Sequence, residues 1–174
     1  MTLKEFALKV GKILKDASID AVLSGGAVVS IYTNNRYQSY DLDFITHSSL
    51  KELEKAFKGT GFYRDGRFFR HPDTDFFIDF PAPPVSVGNA PVTEFNEIVL
   101  KNQYLKLLTP THCVMDRLAA YYHWDDQQAL AQALMVAQEN VIDFDQVKKW
   151  SVDEGMIDRF EYFFSEYKRN KSKN

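Results

Sequence analysis

Apolar residues recur every three to four positions at the start of the chain: Leu3, Phe6, Ala7, Val10, Ile13 and Leu14. That spacing lines one face of a helix over 3–16, and Thr2 with Glu5 three residues on reads as its capping box. The short run Ala21-Val22-Leu23 predicts a buried strand over 20–23. Gly25-Gly26 then turns the chain into a helix from about Gly26 to Thr33, stopped at Asn34-Asn35. A strand is expected over 41–46, where Asp41 and Asp43 alternate with Leu42 and Phe44. Ser48 or Ser49 caps a helix to about Phe57, ended by Gly59 and Gly61. Residues 61–63 and 67–71 flank Asp65-Gly66 and read as a hairpin. Another strand is expected over 75–80, closed by Pro81, Pro83 and Pro84. A turn-rich loop runs from there to Pro91, and a second hairpin pairs 97–102 with 104–108.

After Leu108 the spacing becomes helical throughout. Thr109 caps a helix with Pro110 at its first position, carrying Val114, Met115, Leu118, Ala119 and Tyr122 inward. Asp125 or Asp126 starts the next, with Ala129, Leu130, Ala133, Leu134 and Ala137 on one stripe. Asp143 with Gln146, and Ser151 with Glu154, read as two more capping boxes. The last helix shows Ile157, Phe160, Phe163, Phe164 and Tyr167. The expected class is α+β: a mixed sheet flanked by helices over 1–108, then a helical bundle over 109–174 packed on it. The closing KRNKSKN has no apolar residue and reads as a frayed tail, or as an arm for an anionic partner.

With 174 residues, 45% of them hydrophobic, the chain can bury a real core in one domain or a domain with a small appendage. A net charge of −3 argues against a broad nucleic-acid-binding surface. The single cysteine, Cys113, excludes an internal disulfide and reads as a small buried helix residue. No apolar run approaches a membrane span, and the charged N-terminus is unlike a signal peptide, so the expected setting is cytoplasmic with no membrane partner.

The chemistry concentrates between Ser24 and Ile45. Asp41 and Asp43, two apart on a strand, point to one face and suit a shared divalent cation, because hard cations take oxygen ligands. A third carboxylate is expected from a neighbouring strand. Asp79, inside Phe76-Phe77-Ile78-Asp79-Phe80, is the choice, since a carboxylate in such an apolar run has to be paired or metal-bound; Asp75 is the reserve. The Gly25-Gly26 turn offers bare backbone N–H groups to an anion. Phosphate and metal side by side are what nucleotidyl transfer requires. Arg36 lies between turn and carboxylates, within reach of a phosphate or simply on the surface. His71 and Asp73 suit loop capping better than a second metal site. Tyr121, Tyr122, His123 and Trp124 form an aromatic cluster for packing or for stacking a base. A D-x-D phosphatase or glycosyltransferase fits less well: Gln38-Ser39-Tyr40, not an apolar run, precedes Asp41.

Taken together, strand, Gly-Gly, short helix, D-x-D strand and later strand Asp resemble the nucleotidyltransferase superfamily fold of DNA polymerase beta. SGGAVV, YDLDFI, DTDFFIDFPAPPVSVG and LLTPTHCVMDRLAAYYHWDDQQAL look like segments of small bacterial proteins of the AbiEii toxin type and their relatives, over roughly residues 20–135. The resemblance implies Mg²⁺ or Mn²⁺ at Asp41, Asp43 and Asp79, which are then also the catalytic residues. It implies NTP phosphates at Ser24, Gly25 and Gly26, with Arg117 filling the place of a helix Lys. Many active members have Gly-Ser at the turn where this chain has Gly26-Ala27. An RNA or protein hydroxyl would accept the nucleotide, with an antitoxin partner or a homodimer as the implied assembly. The alternative is an inactive nucleotide- or partner-binding module of the same fold.

Overall fold

The computed structural model describes residues 1–173. The elements run α1 (Leu3–Asp16), β1 (Ala21–Ser24), α2 (Gly25–Tyr32), β2 (Asp41–Thr46), α3 (Leu50–Phe57), β3 (Tyr63–Asp65), β4 (Phe68–Arg70), β5 (Phe77–Asp79), β6 (Ser86–Val87), β7 (Ala90–Pro91), β8 (Phe95–Leu100) and β9 (Gln103–Leu108). Four helices follow: α4 (Pro110–Trp124), α5 (Gln127–Glu139), α6 (Phe144–Asp153) and α7 (Ile157–Ser172).

Seven strands form one mixed sheet in the order β3-β4-β5-β2-β1-β9-β8. β2 runs antiparallel to β1 and parallel to β5, while β1 runs parallel to β9. The alternation of β2 decides the layers. Leu42 and Phe44 point into the core with Leu23, Ile78 and Phe69, their partners in register. α1 and α3 cover that face. Phe57 of α3 meets Phe69 with ring centroids 4.9 Å apart, and Phe6 of α1 meets Phe76 at 5.7 Å. α1 lies close on β9 because Gly11 has no side chain: a Cβ there would sit 2.2 Å from the Tyr104 carbonyl oxygen.

The opposite face, with Asp43 at its centre, is flanked by α2 and by the helical region. One hydrophobic core runs through both halves of the chain, from Leu3 to Tyr167. Specific bonds reinforce it. The Tyr32 hydroxyl donates to the Leu108 carbonyl (2.7 Å), Asn140 Nδ2 to the Tyr32 carbonyl (2.9 Å), and Trp150 Nε1 to the Val87 carbonyl (3.1 Å). The helices therefore pack on the sheet half, as expected.

Several local expectations change. α2 begins at Gly25 rather than Gly26, and β5 is shorter than 75–80. The predicted loop before Pro91 holds the two-residue hairpin β6–β7, whose tip is pinned by Glu154 accepting from the Asn89 backbone N–H at 2.7 Å. Ser151 and Glu154 are no capping box: Ser151 is buried inside α6, where its hydroxyl donates to the Val147 carbonyl, and Glu154 follows the helix. Asp143 caps α6 through the Gln146 N–H. α7 continues to Ser172 through most of the expected tail, helped by Lys171 donating to the Tyr167 hydroxyl at 3.1 Å; Asn174 lies outside the described residues. Cys113 is buried, and burial raises its thiol pKa far above the usual range. Among the described residues no helix is long and apolar enough to cross a membrane.

Candidate active site

β2 carries Asp41 and Asp43 on the face away from the α1–α3 layer. In-register parallel pairing sets Asp79 of β5 directly beside Asp43, and antiparallel pairing sets Ser24 of β1 on its other side. Neighbouring strands lie about 4.8 Å apart and paired residues share a face. Two sequence-distant carboxylates are thus adjacent, next to the turn into α2.

Gly25 permits that arrangement twice over. Its φ of +71° is left-handed, which suits glycine. The space its side chain would need is taken by Asp43: a Cβ would sit 2.7 Å from Asp43 Oδ2. Gly26 faces Tyr37 and Ser39, with Ser39 Oγ 3.1 Å from where its Cβ would be. A chain of hydroxyls ties this turn to the first carboxylate. Ser30 Oγ donates to the Gly26 carbonyl (3.3 Å) and accepts from the Ser39 N–H (2.9 Å), and Ser39 Oγ donates to Asp41 Oδ1 (2.7 Å). Ser24 leaves the α2 N-terminus uncapped and donates instead to the Asp43 carbonyl at 3.3 Å.

Burial pushes the Asp43 carboxyl up to about 6, and the negative charges of Asp41 and Asp79 add to the effect. The Arg117 guanidinium pulls it the other way. Arg117, on α4, is itself held by Asp116 and by Gln132 Oε1 at 3.4 Å. Arg36 donates to Glu139 at the end of α5 at 2.5 Å, so it braces the loop after α2 against the helical region. Asp75 is exposed and outside β5. His71 is buried against Phe62, with the Asp73 N–H on its Nδ1 at 3.3 Å, the geometry of loop capping. Of the aromatic cluster, Tyr122 stacks on Trp150 at 5.4 Å, whereas Trp124 is exposed.

Asp79 has a partner that sequence reasoning missed. Arg67, at the approach to β4, donates to Asp79 Oδ2, while Asp79 Oδ1 accepts from the Phe80 N–H at 3.0 Å. The Asp65-Gly66 turn signal was the available hint, because β4 pairs antiparallel with β5, Phe69 facing Ile78, and so carries the turn residue Arg67 close to Asp79. Among the described residues no three His, Cys, Asp or Glu side chains are gathered closely enough to hold a metal ion. The donor chemistry nevertheless suits a hard divalent cation. Asp41 and Asp43 are oxygen ligands on one rigid strand, and the excess negative charge around Asp43 is what a cation would relieve. Asp79, beside Asp43 in register, is paired with Arg67.

Solved structures match this arrangement of strands and helices. One is an antigenic nucleotidyltransferase-like protein from Paracoccidioides brasiliensis, at a TM-score of 0.59 and 13% identity over 77% of this chain and 74% of that chain. The chain has a nucleotidyltransferase-like fold. The antibiotic-resistance factor ANT(2'')-Ia matches over 100% of both chains at a TM-score of 0.52 and 11% identity. At such identities the likeness is one of fold. No protein-family model and no curated protein matches the chain, so the AbiEii-type likeness rests on the sequence segments alone. Within the nucleotidyltransferase-like fold, Asp41, Asp43, Asp79, Ser24, Gly25 and Gly26 lie on β1, β2, β5 and the turn into α2, and Arg117 acts on Asp43 from α4.

Proposed function

We propose that the protein is a Mg²⁺-dependent nucleotidyltransferase that moves a nucleoside monophosphate from an NTP to a hydroxyl. The observation that carries this reading is Asp43 and Asp79 in register beside the Gly25 turn. Asp41 and Asp43, with Asp79, would hold the cation, which when bound neutralises the triphosphate and lowers the pKa of the attacking hydroxyl. The protein's own groups do the rest. The backbone N–H groups opening α2 face the phosphates, and Arg117 keeps positive charge behind Asp43. The acceptor oxygen attacks the α-phosphorus, its proton passes to Asp79, and the bond to pyrophosphate breaks.

The acceptor is an RNA or protein hydroxyl. Work as the toxin of a toxin–antitoxin pair is the narrower form of the proposal. The reading as a binding module without turnover draws support from Asp79 being engaged by Arg67 and from Ser24 turning its hydroxyl to β2.

Incubation with each NTP, radiolabelled at the α-phosphate, and a cell extract tests the enzyme reading. Wild type is expected to label one RNA or protein band and Asp43→Ala none, with unchanged circular dichroism. Equal labelling by both proteins would sink the assignment. Nucleotide binding without any label would favour the module.

A further inference from the structure

The ion pair at Asp79 occupies the position where the proposed cation site needs its third carboxylate. Arg67 is built to be a removable occupant. Its side chain is 73% exposed, against 13% for Asp79. It stands on the short turn between β3 and β4, its guanidinium 5.0 Å from the Phe68 ring centre. It also lines a groove of about 370 Å³ shared with Arg64, Asp79, Phe80 and Pro81. Arg64, the other arginine there, is held by Glu54 at 2.9 Å and by the Gly66 carbonyl at 2.8 Å. Arg67 therefore has room to swing into the groove, and Arg64 does not share its contact with Asp79.

We propose that Arg67 is an internal counter-cation, an autoinhibitory contact that competes with the divalent cation for Asp79. A guanidinium and a divalent cation both satisfy a carboxylate, and both cannot take the same lone pairs. With Arg67 in place Asp79 is ion-paired, and Asp41 and Asp43 are the two carboxylates of the site outside any salt bridge among the described residues. Once Arg67 withdraws, Asp79 turns toward Asp43, its neighbour in register. The protein thus holds a weak cation site at rest and a complete one when the turn rearranges. This inference rests on the cation-site reading above.

Mn²⁺ titration followed by electron paramagnetic resonance of the free ion tests it without any turnover. Arg67→Ala is expected to bind Mn²⁺ roughly tenfold more tightly than wild type, the scale of one charge-assisted hydrogen bond removed from a ligand. Arg67→Lys should fall between the two, and Arg64→Ala should match wild type. In thermal melts, Arg67→Ala without metal should melt below wild type, with Mn²⁺ closing the gap. That arm also shows that the variant folds. Affinity in Arg67→Ala equal to or weaker than wild type overturns the proposal and leaves the cation site standing. Tightening by Arg64→Ala as large as that by Arg67→Ala also overturns it, because general groove charge would then be the cause. No Mn²⁺ binding by any of these proteins overturns both the proposal and the cation-site reading.

Discussion

Asp43→Asn is expected to make the metal-free protein more stable at neutral pH while abolishing the proposed nucleotidyl transfer. Asp43 sits between Asp41 and Asp79 on a largely buried face, and its carboxyl is pushed up to about 6. The folded state therefore keeps a proton that the unfolded chain has already released. The associated stability is whole in acid, below the ordinary carboxylate range, and is lost as the pH rises through about 6. By pH 7 the charged form costs about 1–2 kcal/mol, allowing for screening at a side chain partly open to solvent. Asn has no charge to desolvate, so its advantage should be small near pH 4 and reach about 1–2 kcal/mol near pH 7. Urea unfolding of both proteins at the two pH values measures this. An advantage that does not grow with pH would show that the folded protein does not resist ionisation of Asp43. Stability gained at the expense of activity is a usual mark of a functional carboxylate.

Gly25→Ala should lose stability as well as function. Alanine at φ +71° costs about 1–2 kcal/mol in the left-handed region. The added methyl would also lie 2.7 Å from Asp43 Oδ2, so the carboxylate has to move. Gly59→Ala separates the two effects. Gly59 has φ +77° and nothing within 4 Å of the Cβ position, so its substitution carries the backbone cost alone. The expectation is that both variants lose about 1–2 kcal/mol to backbone strain, with a further loss and no nucleotide binding only in Gly25→Ala. Urea unfolding with nucleotide titration checks it. Equal losses and intact binding in both would mean that Gly25 serves the turn and not the carboxylate.

Where one short-range pattern dominates, the sequence already shows the structure. The period of α1 and its Thr2–Glu5 box place that helix correctly, and the period of two in β2 puts Asp41 and Asp43 on one face. Asp79 was legible because a carboxylate among phenylalanines is an anomaly. The Arg67–Asp79 pair was not, because it depends on how a hairpin docks on β5. The Ser30–Ser39 bond likewise closes a loop between two serines with no distinguishing neighbours. Ser151 and Glu154 misled because Ser and Glu three apart also occur inside a helix, where the serine bonds back to the preceding turn. The strands of β6–β7, two residues each, are too short to carry a period.

These carboxylates and the Gly25 turn are proposed to form one nucleotide and cation site. Calorimetric titration of each NTP with Mg²⁺, against wild type and the Asp41→Ala/Asp43→Ala double variant, decides the question. Cation-dependent nucleotide binding by wild type, lost in a double variant that remains folded, is the expected result. Nucleotide binding that is indifferent to the cation and survives in the double variant, or no binding by wild type at all, would rule out such a site.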